Sequence, residues 1–288
     1  MSQRLRALVL ERACEGKYIS YLRRVCRRVC KELPQATLVE VCCHADSNLA
    51  AENASVGGAS LRIIEPTEEY PATSVPGSLA VGRIVNWACD IATPKGIRDL
   101  TKYLVSLQPV AGTGIVHAHF SPCCRGTTRM RNVNKHRMKW ATKRYHKQLR
   151  GNIRNLRAVA QKYRRGTAPV SAHGHYPKYR TASSEQPAGA SMHGLYPWIS
   201  MGNSRKYLYT TVGACMCGMQ HDNEPVCKQY SFQTTSRYLT SLLGYVQCAC
   251  EEPVSVLRCG APVSLTERYP IGLCCIIVAG IRLHAGHA

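Results

Sequence analysis

The sequence predicts an α/β fold built on a mainly parallel, twisted sheet, and three observations lead there. Short apolar runs begin at Leu38, Leu61, Val81 and Ile115, so successive starts lie 23, 20 and 34 residues apart, close to the ~30 residues of a βαβ unit. Polar or helix-forming stretches separate them, as the crossovers of parallel strands require. Glu40, Glu65, Asp90 and Cys123 stand at or near the ends of the runs, and open α/β sheets carry their ligands at the carboxyl ends of their strands.

The elements follow in order. Arg23, Arg24, Arg27, Arg28 and Lys31 interleave with Leu22, Val25 and Val29, an amphipathic pattern that predicts a basic helix within residues 1–34, stopped by Pro34. Strands are expected at Leu38–Cys43, Leu61–Glu65, Val81–Trp87 and Ile115–Phe120, with a crossover helix over Pro94–Leu107 that starts on its proline. The fourth run ends abruptly in Ser121-Pro122-Cys123. Pro122 removes a backbone donor, so the strand stops there and the thiol is presented at a crevice edge. A basic helical insertion follows this strand. Met138, Ala141, Tyr145, Leu149, Ile153, Leu156 and Val159 give residues 125–166 an apolar stripe, and Gly151 is a candidate break between two helices. Residues 167–204 are rich in Gly, Pro, Ser and His and read as loop. Strands return at Tyr207–Cys217 and Val226–Thr235, a helix at Ser236–Tyr245, and a last apolar element, strand or helix, at Ile271–Ile281. The expected organisation is a basic N-terminal helix (1–34), one domain (35–275) with an insertion at 125–204, and a C-terminal tail (276–288).

Composition narrows the function. The chain has 288 residues, 45% of them hydrophobic, so a sizeable core is within reach; Lys plus Arg is 38 against 17 acids, a net charge of +21. Such a balance favours a phosphate backbone or an anionic surface as partner. No stretch reaches the ~18 apolar residues of a membrane span, so no membrane role is expected. Sixteen cysteines without a visible secretory signal suit reduced thiols inside a cell, and adjacent pairs such as Cys42-Cys43 and Cys274-Cys275 suit buried small residues. Between 125 and 166 the cations lack balancing acids. Arg125, Arg129, Arg131, Lys135, Lys139, Lys143 and Arg150 are therefore candidates to follow nucleic-acid phosphates along a helix.

The motifs occur in a telling order: Val39-Glu40-Val41, Asp90-Ile91, Ser121-Pro122-Cys123, Glu185-Gln186-Pro187, Gly213-Ala214-Cys215-Met216-Cys217-Gly218, Pro225-Val226-Cys227-Lys228 and Thr266-Glu267-Arg268-Tyr269-Pro270. This order resembles that of the cytosine-5 DNA methyltransferases, closest to their divergent relatives in viruses and mobile elements, over about residues 36–275. The resemblance implies a Rossmann-like methyltransferase that uses S-adenosylmethionine. The turn after the first strand (Glu40, Cys43, Asp46 and Ser47) would hold its methionine part, Glu65 the ribose hydroxyls and Asp90 the adenine. Cys123 would attack carbon 6 of a cytosine flipped out of duplex DNA, and Glu185 would hold or protonate ring nitrogen 3. Such a protein would reside in the nucleus or wherever its DNA lies. The chain departs from the family where Cys42 to Asn48 contains none of the glycines of the family's Phe-x-Gly-x-Gly turn, and where Ser121 precedes the Pro-Cys.

Two further readings stand beside this one. Cys215, Cys217, Cys227, Cys248, Cys250 and Cys259 could supply four zinc ligands and staple a nucleic-acid binder without catalysis. A catalytically degenerate descendant of the family is the other. His117 and His119 share a strand face; they are metal-ligand candidates, though such residues more often belong to a core.

Overall fold

The computed structural model describes residues 16–122, 140–165, 179–187, 207–221, 224–246, 254–255 and 268–287. In chain order its elements are α1 (Gly16–Glu32), β1 (Gln35–Val41), α2 (Asn48–Ser55), β2 (Ala59–Ile64), β3 (Ile84–Ala88), α3 (Pro94–Ser106), β4 (Thr113–Phe120), α4 (Trp140–Arg165), β5 (Arg180–Pro187), β6 (Leu208–Gly213), β7 (Gln220–His221), β8 (Glu224–Cys227), β9 (Gln229–Thr234), α5 (Arg237–Gly244), β10 (Val254–Ser255) and α6 (Ile271–Ala285). Seven strands form the main sheet in the order β3-β2-β1-β4-β5-β9-β6. The first five in that order are parallel, and β9 runs antiparallel to both of its neighbours. The order 3-2-1-4-5 belongs to Rossmann-like sheets, and the direction of winding switches between β1 and β4, where such sheets open their crevice.

Alternation along β1 and β4 divides the core into two layers. Ala36, Leu38 and Ile115 join one cluster with residues of α1, α5 and α6; Val39, Val41, Val116, Ala118 and Phe120 join the other with residues of α3 and α4. Parallel strands covered on both faces are buried throughout, as the continuous apolar character of β1 requires. The final helix α6 is apolar all round and buried from Gly272 to Arg282, which makes it the central helix of its layer.

The shortage of acids leaves buried arginines to find other partners, and Arg282 and Arg180 take helix carboxyl ends. Arg282 donates to Cys30 O at 2.7 Å and Val56 O at 2.6 Å; Arg180 donates to Tyr163 O at 2.9 Å and Val105 O at 2.7 Å. The negative end of the helix dipole complements each guanidinium.

Five sequence expectations change. Gly151 does not divide the basic helix: α4 runs unbroken through it. Rather than an insertion, α4 is the β4–β5 crossover, burying Ile153, Leu156, Val159, Ala160 and Tyr163 against the sheet. Residues 180–187, within the stretch read as loop, form a central strand. The tail expected from 276 is the body of α6, held in the core by its apolar surface. Tyr207–Cys217 and Val226–Thr235 also shorten: a 3-10 turn occupies Cys215–Cys217, while β8 and β9 fall in different sheets.

Candidate functional site

The site lies at the carboxyl ends of the strands and has two ends. At the first, β2 and β3 deliver two of the expected acids, Glu65 and Asp90. Glu65 directly follows β2 and stands at the shared rim of two cavities. One, of about 270 Å³, is bordered by Cys42, Cys43, His44, Ala45, Glu65 and Tyr70. The other, of about 170 Å³, is bordered by Glu65, Pro66, Asp90, Ile91, Gln148 and Asn152. Neither alone reaches the ~300 Å³ of a small-molecule site, and Glu65 lines both. Burial against the crevice wall and the Asp90 charge raise the Glu65 carboxyl above its usual range. Asp90 caps its own turn by accepting from Ala92 N at 2.9 Å. Behind it, Gly96 permits a close approach, since a Cβ there would meet Asp90 O at 1.9 Å.

The glycine-free first turn is held by other means. Cys42 takes the left-handed conformation at φ 64°. Arg62 on β2 donates to Ala45 O and Ser47 O, each at 2.7 Å. Ser47 caps α2 by accepting from Leu49 N, and its hydroxyl lies 2.7 Å from both carboxyl oxygens of Glu40. Glu40 is 2% exposed and borders neither cavity; burial pushes its carboxyl up to about 7, against the Ser47 bond and the Arg62 charge. Glu40 and Ser47 therefore build the turn instead of facing the crevice. Asp46 is exposed and pairs with His44 and with Arg268. Cys43 borders the larger cavity, and burial and the Glu40 charge keep its thiol protonated.

At the second end, β4 and β5 run side by side, with His117 opposite Thr181, His119 opposite Ser183 and Phe120 opposite Ser184. Alternation puts His117, His119 and Ser121 of the β4 side on one face with Thr181, Ser183 and Glu185 of β5. Gln186 Nε2 donates to Pro122 O at 2.7 Å, pinning the turn that leads to Cys123. Tyr269, from the segment before α6, joins the two strand ends: its hydroxyl donates to Glu185 Oε2 at 2.8 Å and lies 2.6 Å from Ser121 Oγ and 2.9 Å from His119 Nε2. Its backbone is tied to the first turn by Asn48 Nδ2, which donates to Tyr269 O at 2.9 Å. Burial pushes the Glu185 carboxyl up to about 7, against the Lys228 charge and the Tyr269 hydrogen bond. Glu185 Oε1 is buried without a hydrogen-bond partner among the described residues.

Sequence reasoning thus finds Glu65 and Asp90 at the cavity rims, while Glu185 is buried at the carboxyl end of β5 and borders neither cavity. It misses Tyr269, Lys228 and Arg62 as site residues. The Tyr269-Pro270 and Pro225–Lys228 motifs were the available signal for the first two; nothing local marks Arg62. Cys123, Arg125, Arg129, Arg131, Lys135 and Lys139 lie outside the described residues. Lys143 is exposed on α4, with Lys147, Arg154 and Lys162, while Arg150 is half-buried. His117 and His119 are fully buried and committed to hydroxyl partners. Among the described residues no three His, Cys, Asp or Glu side chains gather as metal ligands. Cys215 and Cys217 are buried in the 3-10 turn, and Cys248, Cys250 and Cys259 lie outside the described residues. No helix of the described residues is long and apolar enough to cross a membrane. Comparisons with protein-family models, with curated proteins and with solved structures return no match for this chain.

Proposed function

We propose that this chain is an S-adenosylmethionine-dependent DNA methyltransferase acting at cytosine carbon 5 through a covalent bond to Cys123. The observation that carries the reading is the Gln186 Nε2–Pro122 O hydrogen bond, which holds Ser121-Pro122, just past β4, against Glu185-Gln186 of its parallel neighbour β5, with Glu65 and Asp90 at the rims of cavities at the same sheet edge. The donor set suits the cofactor. Glu65, between two cavities, is a paired acceptor for a ribose diol; Asp90 borders the smaller cavity, where an adenine amino group needs an acceptor; and the acids at the rim complement a cationic sulfonium. When bound, the cofactor supplies an electrophilic methyl group.

The chain's own residues would do the rest. Cys123, as thiolate, forms a bond to carbon 6 of a cytosine flipped out of the duplex. The electron pair of the 5,6 double bond moves to carbon 5 as nitrogen 3 takes the Glu185 proton, and a carboxyl held near pH 7 is suited to giving it. Carbon 5 would take the methyl group as its bond to the cofactor's sulfur breaks, the electron pair staying on sulfur. Solvent water would then take the carbon 5 proton as the 5,6 double bond reforms and the Cys123 thiolate leaves, and the proton on nitrogen 3 would return to Glu185. The exposed cations of α4 supply phosphate contacts to the DNA partner.

Calorimetric binding of S-adenosylmethionine, with S-adenosylhomocysteine beside it, tests the pocket, and methyl transfer by Cys123→Ser tests the nucleophile. Micromolar cofactor binding and loss of transfer with DNA affinity kept are the expected results. A folded sample that binds neither cofactor overturns the reading, and transfer surviving in Cys123→Ser overturns the covalent step.

A further inference from the structure

We propose that Tyr269 is a positioning residue for Glu185, and that a one-way chain of hydrogen bonds through His119, Ser183, His117 and Thr181 fixes the direction in which its hydroxyl donates. The proposal rests on the methyltransferase reading only for what Glu185 does, not for how it is held.

Proton accounting gives the direction. The single Tyr269 hydroxyl proton goes to Glu185 Oε2 at 2.8 Å. The oxygen then accepts from Ser121 Oγ at 2.6 Å and from His119 Nε2 at 2.9 Å, which fills its lone pairs. Burial pushes His119 down to about 3 and His117 well below its usual value, so both rings are neutral. A neutral ring that donates from Nε2 must accept at Nδ1. His119 Nδ1 therefore accepts from Ser183 Oγ at 2.7 Å, Ser183 accepts from His117 Nε2 at 2.7 Å, and His117 Nδ1 accepts from Thr181 Oγ1 at 2.8 Å. Every proton is used once. Thr181 is 2% exposed, so the chain ends inside the protein; it orients a hydroxyl and does not conduct protons to solvent. Its product is a carboxyl group with Oε2 held and Oε1 buried without a hydrogen-bond partner among the described residues. The titratable or charged groups facing Glu185 are Lys228 from the β8–β9 junction and Tyr269; behind Tyr269 stand His119 on β4 and Glu40 on β1.

The test is the titration of the Glu185 carboxyl, followed by carbon-13 resonance in labelled protein and assigned by its loss in Glu185→Gln, together with the pH profile of methyl transfer. Tyr269→Phe removes a bond that favours the carboxylate. Its midpoint should rise above the wild-type value, the limb of the rate profile set by Glu185 should move to higher pH, and maximal transfer should fall about tenfold to a hundredfold, with cofactor affinity unchanged. Ser183→Ala keeps the tyrosine but leaves His119 Nδ1 without its donor. The ring then turns an acceptor toward Tyr269, and the midpoint should rise by a smaller amount. Variants that titrate like the wild type overturn the proposal, whatever their activity. A shifted midpoint in a protein whose wild type neither binds cofactor nor transfers methyl groups sustains the positioning and overturns the methyltransferase reading alone.

Discussion

The β1–β3 end of the crevice and its β4–β5 end are built in opposite ways. Around β2 and β3, acids stand at the rims of open cavities: Glu65 reaches solvent although the crevice wall partly desolvates its carboxyl, and Asp90 accepts from Ala92 N of its own turn. Around β4 and β5 the polar groups are sealed, and His119, Ser183, Glu185 and Tyr269 satisfy one another almost completely. An open acid suits a ligand that enters and leaves with its own hydroxyls to bond. A sealed network suits a group that must hold one geometry, because in low dielectric each partner is expensive to misplace. The first end has the character of a binding site and the second that of a reacting centre.

The largest expected effects divide along that line. Glu185→Gln should lower methyl transfer by about 10²–10⁴-fold, the scale of a general acid, with cofactor affinity unchanged. Glu65→Ala should weaken cofactor binding by about tenfold to a hundredfold, the scale of a hydrogen bond to a charged group, and spare transfer at saturating cofactor. Calorimetry and saturation kinetics on both variants would reveal an exchange of the two phenotypes, which would erase the division.

The division also explains what the sequence disclosed. Strands β1, β2 and β4 carry apolar runs, so their places and the acids that follow β2 and β3 are legible. Strand β5, Arg180-Thr-Ala-Ser-Ser-Glu-Gln-Pro187, has one alanine among mostly polar residues, yet nearly all of it is buried. Hydropathy reads it as loop. Its burial is possible because β4 offers His117 and His119 as partners and Tyr163 O, Val105 O and Pro122 O accept from its ends, and none of these pairings is visible before the strands are aligned. Helix α6 stays open between strand and helix, and is cut at 276, for a related reason: an element apolar all round has no periodicity to tell strand from helix or to mark where a domain ends. The Glu185 motif was found only through its resemblance to a family; the physics that buries it lies 84 residues away in Tyr269.

A sealed end and its turn also leave a signature in stability against pH. Glu40 and Glu185 are raised from 4.5 to about 7, so between those values the folded chain binds more protons than the unfolded one, and their contribution falls as pH rises. His117 and His119 are lowered from 6.5, His119 to about 3, so the unfolded chain binds more protons there and their contribution rises with pH. From about 4.5 to 6.5 the two acids and two histidines oppose each other, and these four groups leave stability nearly level. Glu40→Gln removes one falling term. Urea unfolding across that range should then show stability climbing by about 1 kcal/mol per pH unit. A variant as level as the wild type would mean that Glu40 is ionised in the fold and that the first turn holds a charge after all.

The smallest effect tests whether that turn truly replaces a glycine. Cys42 is the only non-glycine with positive φ among the described residues, a conformation that costs a side-chain-bearing residue about 1–2 kcal/mol. Glycine would relieve that cost but adds about 0.5–1 kcal/mol of unfolded-chain freedom, so Cys42→Gly should be neutral or stabilise by up to about 1.5 kcal/mol. Cofactor affinity should hold, since the turn is fixed from β2 by Arg62 through Ala45 O and Ser47 O and not by the residue at 42. Denaturant midpoints and calorimetry on this variant separate two kinds of turn. If stability and affinity both stay, Arg62 does for this crevice what a glycine-rich loop does elsewhere, holding the backbone from outside where glycines would let it fold on itself. If affinity falls while stability stays, the Cys42 thiol belongs to the ligand-binding surface of the larger cavity.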